Sequence, residues 1–265
     1  MYVLAQQPRS IGQVLDAAAQ LFKAAFAALL PFSITAGVLA VLPGAILLLG
    51  GPSLETDPGK MLSLMRSPAY WTVMVVSMFV NIIVYGAAMV RAESVAQGAP
   101  VSAGEALDVG ARRCLIAFVS SICFGLVVAV GLVLLIVPGL ILMVSLVFGV
   151  TAIMIDGKGI IEGLSYSHKL VWGNWWRTAT LLTVGIIIVY ILFVIAALAL
   201  GMTAGFVSRD RTILLLVQFL SSGVATFIMT PFLIALMLEI YRDLKLRKEG
   251  GDLAGRLSSL QPASR

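Results

Sequence analysis

The sequence is poor in charged residues and nearly lacks histidine. Only 12% of its 265 residues are charged, whereas 60% are hydrophobic. A soluble domain uses about 25% charged residues, so the composition excludes that class and indicates an integral membrane protein. The single histidine, His168, excludes a metal site or an acid–base mechanism that needs two histidines of one chain.

Reactive groups are scarce as well. The two cysteines, Cys114 and Cys123, lie in one apolar segment, so we predict free thiols that are buried as small apolar side chains. The sequence contains no glycine-rich phosphate loop, no nucleophile elbow and no cluster with metal-ligand spacing. We therefore expect no catalytic residue, no cofactor, no metal and no nucleic-acid partner.

Six long apolar segments predict the fold. A bilayer core needs about 20 helical residues, and the segments show none of the alternation typical of barrel strands. The predicted spans are residues 25–49, 70–90, 115–137, 140–155, 179–200 and 213–241. The expected fold class is all-α, a polytopic integral membrane protein with six transmembrane helices.

A short polar-to-apolar helix start occurs three times, at residues 10–16, 102–108 and, more faintly, 159–165. Between residues 10–26 and 102–118, seven of seventeen aligned positions are identical. We therefore predict three pseudo-repeats, about 10–91, 102–156 and 159–241, each with one amphipathic helix on the membrane surface followed by two spans. One membrane domain covers residues 1–250, and residues 251–265 form a disordered tail.

Capping residues and prolines predict where the helices begin and end. Each repeat places an N-cap three residues before Gln or Glu, which is the capping-box spacing; the pairs are Ser10 with Gln13, Ser102 with Glu105, and Gly159 with Glu162. We expect Pro31 to separate the first surface helix from its span, and Pro138-Gly139 to form a tight hairpin. Residues 50–68 are predicted to be a loop.

Basic residues predict the topology. Six spans place both termini on one side, which carries 14 Lys and Arg residues, whereas the opposite side carries 4. By the positive-inside rule both termini are cytoplasmic. The predicted lipid contacts are the basic and Trp residues of the surface helices: Lys23, Arg112, Arg113, Lys169, Trp172, Trp175, Trp176 and Arg177.

Few polar residues lie in or near the spans. Glu239 is the acid nearest to a span, and this scarcity is evidence against ion-coupled transport, which needs intramembrane acids or histidines. The predicted partner or groove contacts are Asn81, Gln218, Tyr241, Asp243 and Arg247. For the polar residues within the spans, the alternative is hydrogen bonding between packed helices. For the Tyr241–Arg247 stretch the alternative is an ordinary interfacial stop, and for His168 it is a packed residue at headgroup depth.

Four short motifs together resemble a known family: residues 9–16, Pro138-Gly139, residues 175–177, and the closing residues 231–247. They are similar to the membrane domain of glycerophosphoryl diester phosphodiesterase-like proteins and to inner-membrane proteins of the YciC type. The resemblance covers nearly the whole chain and implies a lipid-associated membrane module. The phosphodiesterase activity does not carry over, because in that family it belongs to a separate soluble barrel.

Together with this resemblance, these features favour a non-enzymatic module of the bacterial inner membrane that contacts phospholipid and docks a protein of a lipid or envelope pathway. A homo-oligomer is compatible with this function. Two alternatives stay open at this stage. The repeats and the helix-breaking prolines would also suit a transporter for lipid or a small amphiphile. An intramembrane lipid-modifying enzyme would have to use His168 and Asp108.

Overall fold

The computed structural model describes residues 2–49, 57–207 and 211–260. Within these ranges the chain forms nine helices and no strand. The helices are α1 (Ile11–Leu49), α2 (Pro58–Arg66), α3 (Pro68–Ala96), α4 (Ala103–Leu134), α5 (Ile136–Leu146), α6 (Gly149–Asp156), α7 (Ile160–Val171), α8 (Trp175–Val207) and α9 (Arg211–Leu260).

The predicted all-α membrane fold is confirmed. Six helical segments are long and apolar enough to cross a bilayer, with α5 and α6 together forming the fourth. Large apolar side chains cover the outside, whereas much of the buried core consists of alanine, as at Ala18, Ala25, Ala87, Ala92 and Ala117. Small residues let helices approach closely, and this packing is typical of helices that associate in lipid.

The first predicted surface helix is wrong. Residues 11–25 and the first span form one continuous helix, α1, and Pro31 lies inside it. The apolar stripe of this stretch, including Val14, Ala18 and Leu21, is buried in the protein core. The amphipathic pattern therefore arises from packing against neighbouring helices, chiefly α9. Periodicity alone cannot distinguish a protein partner from a lipid surface.

The second predicted surface helix is also continuous with its span. Helix α4 runs from Ala103 to Leu134, and Ala106, Gly110 and Ala117 of its amphipathic stretch are buried. Only the third copy forms a separate short helix, α7, which ends before Trp172. A unit of one surface helix and two spans therefore does not describe the first two copies, and the internal repeat itself stays a prediction.

The predicted caps are present at the first two helix starts. The Ser10 backbone N–H donates to Gln13 Oε1 at 2.8 Å, and Gln13 N–H donates to Ser10 Oγ at 3.3 Å. At α4, Ser102 N–H donates to Glu105 Oε2 at 2.6 Å, and Glu105 N–H returns to Ser102 Oγ at 3.1 Å. At α7, Gly159 N–H donates to Glu162 at 3.4 Å, which is half of a capping box because glycine has no side chain.

The predicted hairpin at Pro138-Gly139 is wrong by a few residues. The chain turns at Leu135, which has an extended backbone with φ −159° and ψ 135°, and Pro138 lies in the first turn of α5. Proline is tolerated there because the first backbone N–H groups of a helix have no intrahelical acceptor. Gly139 has a packing role, because a Cβ at this position would lie 2.6 Å from Leu132 N.

Two further differences concern the predicted loop and the fourth span. Part of the predicted loop is helix α2, which Asp57 caps by accepting a hydrogen bond from Gly59 N–H. The fourth span is interrupted at Val147 and Phe148. Residues 50–56, at the start of that loop, lie outside the described ranges. Helix α9 contains Pro231 and continues to Leu260, so the predicted disordered tail is wrong for residues 251–260, and residues 261–265 lie outside the described ranges.

The turn between α4 and α5 lies beside the start of α8. Trp175, the first residue of α8, donates from Nε1 to Ile141 O at 3.2 Å, and Ile141 is in the second turn of α5. In a simple up-and-down bundle these two helices would begin at opposite ends. The α4–α5 hairpin therefore departs from a simple up-and-down arrangement, and its exposed apolar tip lies near the start of α8.

Candidate functional site

Most of the paired charges lie at one end of the bundle, where the N-terminal residues 2–9 meet the last turns of the membrane-spanning part of α9. We call this region the charged end. Two acids of α9, Glu239 and Asp243, are almost completely buried there, with 2% and 3% of their surfaces exposed. Because they are four residues apart, they lie on the same face of the helix. A buried carboxylate requires paired partners, and both acids have them.

Glu239 is bound from two directions. Arg9 Nη1 lies 2.9 Å from Glu239 Oε2, and Arg242 Nη1 lies 2.5 Å from Glu239 Oε1. Arg242 also pairs with Glu93 of α3, and the Tyr2 hydroxyl donates to Glu239. Burial, together with the Glu239 carboxylate, raises the pKa of Tyr2, so this phenol stays protonated as a hydrogen-bond donor. The contacts around Glu239 therefore join three separate parts of the chain: the N-terminal segment, α3 and α9.

Asp243 forms the second centre of the charged end. It lies 3.0 Å from Arg177 of α8 and 2.9 Å from Arg247, and it accepts the Arg9 backbone N–H at 2.8 Å. The Arg9 carbonyl in turn accepts from both Arg177 and Arg247, at 2.5 and 2.7 Å. The N-terminal segment is therefore held on α9 through backbone as well as side-chain contacts.

A third centre lies at the end of α6. Asp156 accepts from Lys245 at 3.0 and 3.2 Å and from the Tyr241 hydroxyl. Tyr166 of α7 donates to Glu249 at 2.8 Å. Burial, followed by the hydrogen bond to Glu249, raises the pKa of Tyr166 and keeps its hydroxyl protonated.

An apolar groove adjoins the charged end. It has a volume of about 610 Å³ and lies between α5 and the start of α8; the lining residues are Val137, Ile141, Trp172, Gly173, Asn174, Trp175, Trp176 and Arg177. We call it the tryptophan groove. Arg177 belongs to both features, because it lines the groove and pairs with Asp243.

The indole rings of the groove are positioned by specific contacts. Trp175 is fixed to α5 by its bond to Ile141 O, and its ring meets that of Trp176 edge-on with centroids 4.8 Å apart. Trp172 packs against His168 with a centroid distance of 5.1 Å. His168 is thus partly buried by an aromatic neighbour, in agreement with the packed alternative for this residue.

The groove continues onto an exposed apolar surface. The turn between α4 and α5 presents five consecutive large apolar side chains, each 66 to 86% exposed: Val133, Leu134, Leu135, Ile136 and Val137. Such a stretch is unfavourable in water and typical of a membrane-contacting surface. It meets a rim that bears the paired Arg177, so apolar and charged surfaces adjoin at this groove.

The eight predicted lipid contacts fall into three groups. Lys23, Arg112 and Lys169 are exposed, as are Trp172 and Trp176. Trp175 and Arg177 are partly buried in the groove wall. Arg113 instead donates to Ile153 O and Met154 O at 3.1 and 2.5 Å and so binds two backbone carbonyls at the C-terminal end of α6.

The five predicted partner or groove residues separate into two groups. Tyr241, Asp243 and Arg247 meet in the charged end, whereas Asn81 and Gln218 are exposed on α3 and α9. Our sequence interpretation missed the roles of Tyr2, Glu93, Asp156, Arg242 and Lys245. One signal was available for α9: acids at 239 and 243 and arginines at 242 and 247 recur at helical spacing.

A second apolar groove, of about 420 Å³, follows the contact between α1 and α9. Its floor is a close helix crossing, since a Cβ on Gly37 would stand 2.8 Å from Gly223 O. The described residues contain no group of three or more His, Cys, Asp or Glu that could hold a metal ion.

These observations define the class: a multi-pass α-helical membrane protein with a charged end and an adjoining tryptophan groove. Residues 1–244 match the family described as a domain of unknown function, DUF7847, and the chain belongs to that family. Comparisons with curated proteins and with solved structures give no match. The resemblance to phosphodiesterase-associated and YciC-type membrane domains stays a prediction.

Proposed function

We propose that this protein is a non-enzymatic module of the bacterial inner membrane that contacts phospholipid and docks a lipid-handling or envelope protein. The observation that carries the proposal is the tryptophan groove. Its apolar floor continues into the exposed tip at 133–137, and its rim holds Arg177. This combination suits a molecule with an acyl chain and a charged headgroup.

The aromatic residues support this proposal. Indole rings favour the depth of lipid headgroups, because they are apolar with one polar N–H group. Trp176 is 80% exposed at the start of α8, where its ring would meet lipid. The groove volume of about 610 Å³ lies within the range of roughly 300–1,000 Å³ that is usual for small-molecule sites.

The charge distribution supports cytoplasmic termini. Of the 18 Lys and Arg residues, 14 lie on the side of the termini in a six-span topology. The charged end then faces the cytoplasm, where a soluble partner could reach it. A polar recess of about 640 Å³ beside the N-terminal segment offers a docking surface, with Gln6, Gln7, Gln13, Asp16 and Gln20 among its lining residues.

Lipid retention tests the proposal. The full-length protein is purified from membranes, exchanged extensively into detergent, and analysed for bound phospholipid and for co-purifying proteins by mass spectrometry. We expect about one phospholipid or more per chain in the wild type and in Trp71→Ala, and a clear loss in Trp176→Ala. Trp71 is a matched control because it is also exposed, at 57%, and lies far from the charged end that adjoins the groove. It is separated from Glu93 of the charged end by 22 residues of α3, a length of about 33 Å.

Phospholipid at the detergent background in the wild type, with no lipid-pathway protein co-purifying, would refute the proposal. Equal loss of lipid in Trp176→Ala and Trp71→Ala would show that the retained lipid is not held by the groove. Circular dichroism on each variant checks that the helices are intact. Trp176 makes a suitable substitution site because its exposed side chain is not part of the core.

One observation favours a transporter as the second candidate. The fourth span is broken at Val147 and Phe148, and three buried hydroxyls of α4, α5 and α6, those of Ser120, Ser145 and Thr151, have no hydrogen-bond partner among the described residues. Broken helices and buried polar groups occur at transporter binding sites. Fluorescent phospholipid reconstituted with the protein tests this: movement between leaflets above the protein-free rate would favour transport, and its absence would favour the membrane module.

A further inference from the structure

We propose that the tryptophan groove selects anionic phospholipids, with the headgroup phosphate beside Lys248 and Arg177 and an acyl chain along Val137 and Ile141. This inference rests on the proposed lipid contact and adds the chemical class of the lipid. It is carried by the arrangement of cations around the groove rim, by the continuity of its apolar floor, and by the aromatic residues between them.

Lys248 lies at the rim of the groove. A Cβ on Gly173 would stand 3.6 Å from Lys248 Nζ, so the ammonium group is close to the turn that joins α7 to α8. Gly173 lines the groove and has φ +92°, a backbone conformation that favours glycine. The turn therefore brings its backbone close to the ammonium group, and Lys248 itself is exposed.

The neighbouring ion pairs leave positive charge in excess. Two arginines, Arg177 and Arg247, share the single carboxylate of Asp243. Across the two connected centres of the charged end, four guanidinium groups (Arg9, Arg177, Arg242, Arg247) face three carboxylates (Glu93, Glu239, Asp243). Lys248 adds a further cation and Glu249, which accepts from the neutral Tyr166 hydroxyl, adds a further anion, so one positive charge stays in excess. An anion at the rim would balance this excess.

The floor of the groove indicates a lipid rather than a small soluble anion. Val137 and Ile141 offer no polar side chain, and the exposed tip at 133–137 extends the apolar surface by several residues. An acyl chain covers such a surface and gains from its burial, at about 0.8 kcal/mol per buried CH₂ group. A free phosphate would contact the rim and leave the floor exposed.

The same cations favour an anionic headgroup over a zwitterionic one. A choline or ethanolamine group would bring a second cation close to Lys248 and Arg177, at a cost that is large in a site partly removed from water. The indole rings could attract a quaternary ammonium group, so phosphatidylcholine is the strongest competitor. Phosphatidylglycerol has the same phosphate without the cation.

Fluorescence quenching tests this selectivity on the full-length protein. The chain has four tryptophans, so a Trp71→Phe background leaves emission only from the groove. The protein is reconstituted in vesicles with chain-brominated phosphatidylglycerol or phosphatidylcholine at equal mole fractions. We expect brominated phosphatidylglycerol to reach half-maximal quenching at a mole fraction at least fivefold lower.

Charge removal at the rim provides the second measurement. A cation near an anionic lipid contributes about 1 kcal/mol, which corresponds to roughly a fivefold change in binding, so Lys248→Gln should reduce the selectivity about fivefold. Lys60→Gln is the matched control, since Lys60 is also exposed and lies far from the groove. It belongs to α2, which contacts Trp71 at the end of α3 opposite to Glu93 and the charged end. We expect this control to keep the wild-type selectivity.

The possible results separate the two proposals. Equal quenching by both lipids, with phospholipid still retained on purification, would overturn the anionic selectivity and leave the proposed lipid contact intact. Loss of retention in the wild type would overturn both. Wild-type selectivity in Lys248→Gln would refute the proposed position of the headgroup phosphate beside Lys248. A change in groove emission on adding inorganic phosphate to lipid-free protein in detergent, together with equal quenching by the two brominated lipids, would assign the rim to a soluble anion and also refute the inference.

Discussion

The substitution Asp243→Asn should destabilise the charged end strongly, although it hardly changes the size of the side chain. Asp243→Asn keeps the shape of the side chain and an oxygen that can still accept the Arg9 backbone N–H, but it removes the negative charge. Arg177 and Arg247 then face each other and a neutral amide. The variant isolates the electrostatic contribution of one buried carboxylate.

The magnitude follows from burial. The Asp243 side chain is 3% exposed, and the side chains of Arg177 and Arg247 are 19% and 27% exposed. Removing one partner of a buried pair costs about 3–5 kcal/mol, because the other charge is left without compensation. Both arginines keep some contact with water, so we expect the lower end, about 3 kcal/mol. At roughly 2–4 °C per kcal/mol, the unfolding temperature should fall by about 6–12 °C.

Thermal unfolding of wild type and variant in one detergent, followed by intrinsic fluorescence, measures this loss. Asp108→Asn is the control: Asp108 also pairs with an arginine, Arg112, four residues along its helix, but the two side chains are 54% and 77% exposed. An exposed pair of this kind contributes about 0.3–0.5 kcal/mol, so a shift of no more than about 2 °C is expected. Equal shifts in both variants would refute our view that burial makes the Asp243 pairs important.

Three further predictions concern helix packing and helix starts. Gly37→Val should lower the unfolding temperature, because its Cβ would meet the Gly223 carbonyl at 2.8 Å, and overpacking costs about 1–3 kcal/mol. Pro138→Ala should change stability by no more than about 0.5 kcal/mol, because its position in the first turn of α5 needs no N–H donor. The hydrogen bond from Lys158, followed by that from the Gly159 backbone, lowers the pKa of Glu162. Its stabilising effect on α7 is therefore present at neutral pH and lost as pH falls through this lowered pKa. The amide-exchange protection factors of the first turn, which are corrected for the intrinsic pH dependence of exchange, should therefore fall in acid for the wild type and change less in Glu162→Gln.

The helix starts were predictable because their signals are local. Ser10 with Gln13 and Ser102 with Glu105 are within one turn of each other, and the reciprocal hydrogen bonds depend on that short stretch alone. The spans were predictable for a similar reason, since hydrophobicity over about 20 residues determines membrane insertion. Neither signal requires knowledge of which helices meet.

The first surface helix could not be recognised correctly from its pattern. Val14, Ala18 and Leu21 form an apolar stripe that would suit a lipid surface or a neighbouring helix. The difference depends on α9, more than 200 residues away in the sequence. Pro138 was misread for another reason: the same residue that interrupts a helix interior is favoured near a helix start, and the extended residue Leu135 carries no distinctive signal.

The groove was partly predictable and the charged end mostly was not. The Trp residues at 172, 175 and 176 are close in sequence and mark an interfacial segment. Their apolar floor, Val137 and Ile141, comes from another helix that only tertiary packing brings near. Likewise, Tyr2 and Glu93 reach the α9 cluster from distant parts of the chain, and no local pattern indicates those pairings.

The long sequence separation within the charged end has a consequence for biosynthesis. Arg9 pairs with Glu239 and donates its backbone N–H to Asp243, 230 and 234 residues later. A ribosome releases Arg9 230 residues before Glu239 and 234 residues before Asp243. Throughout insertion the N-terminal segment has no access to these acids, and Arg177 also has to wait for Asp243. The charged end can therefore assemble only after the sixth span is synthesised, and its closure reports that this span has joined the bundle.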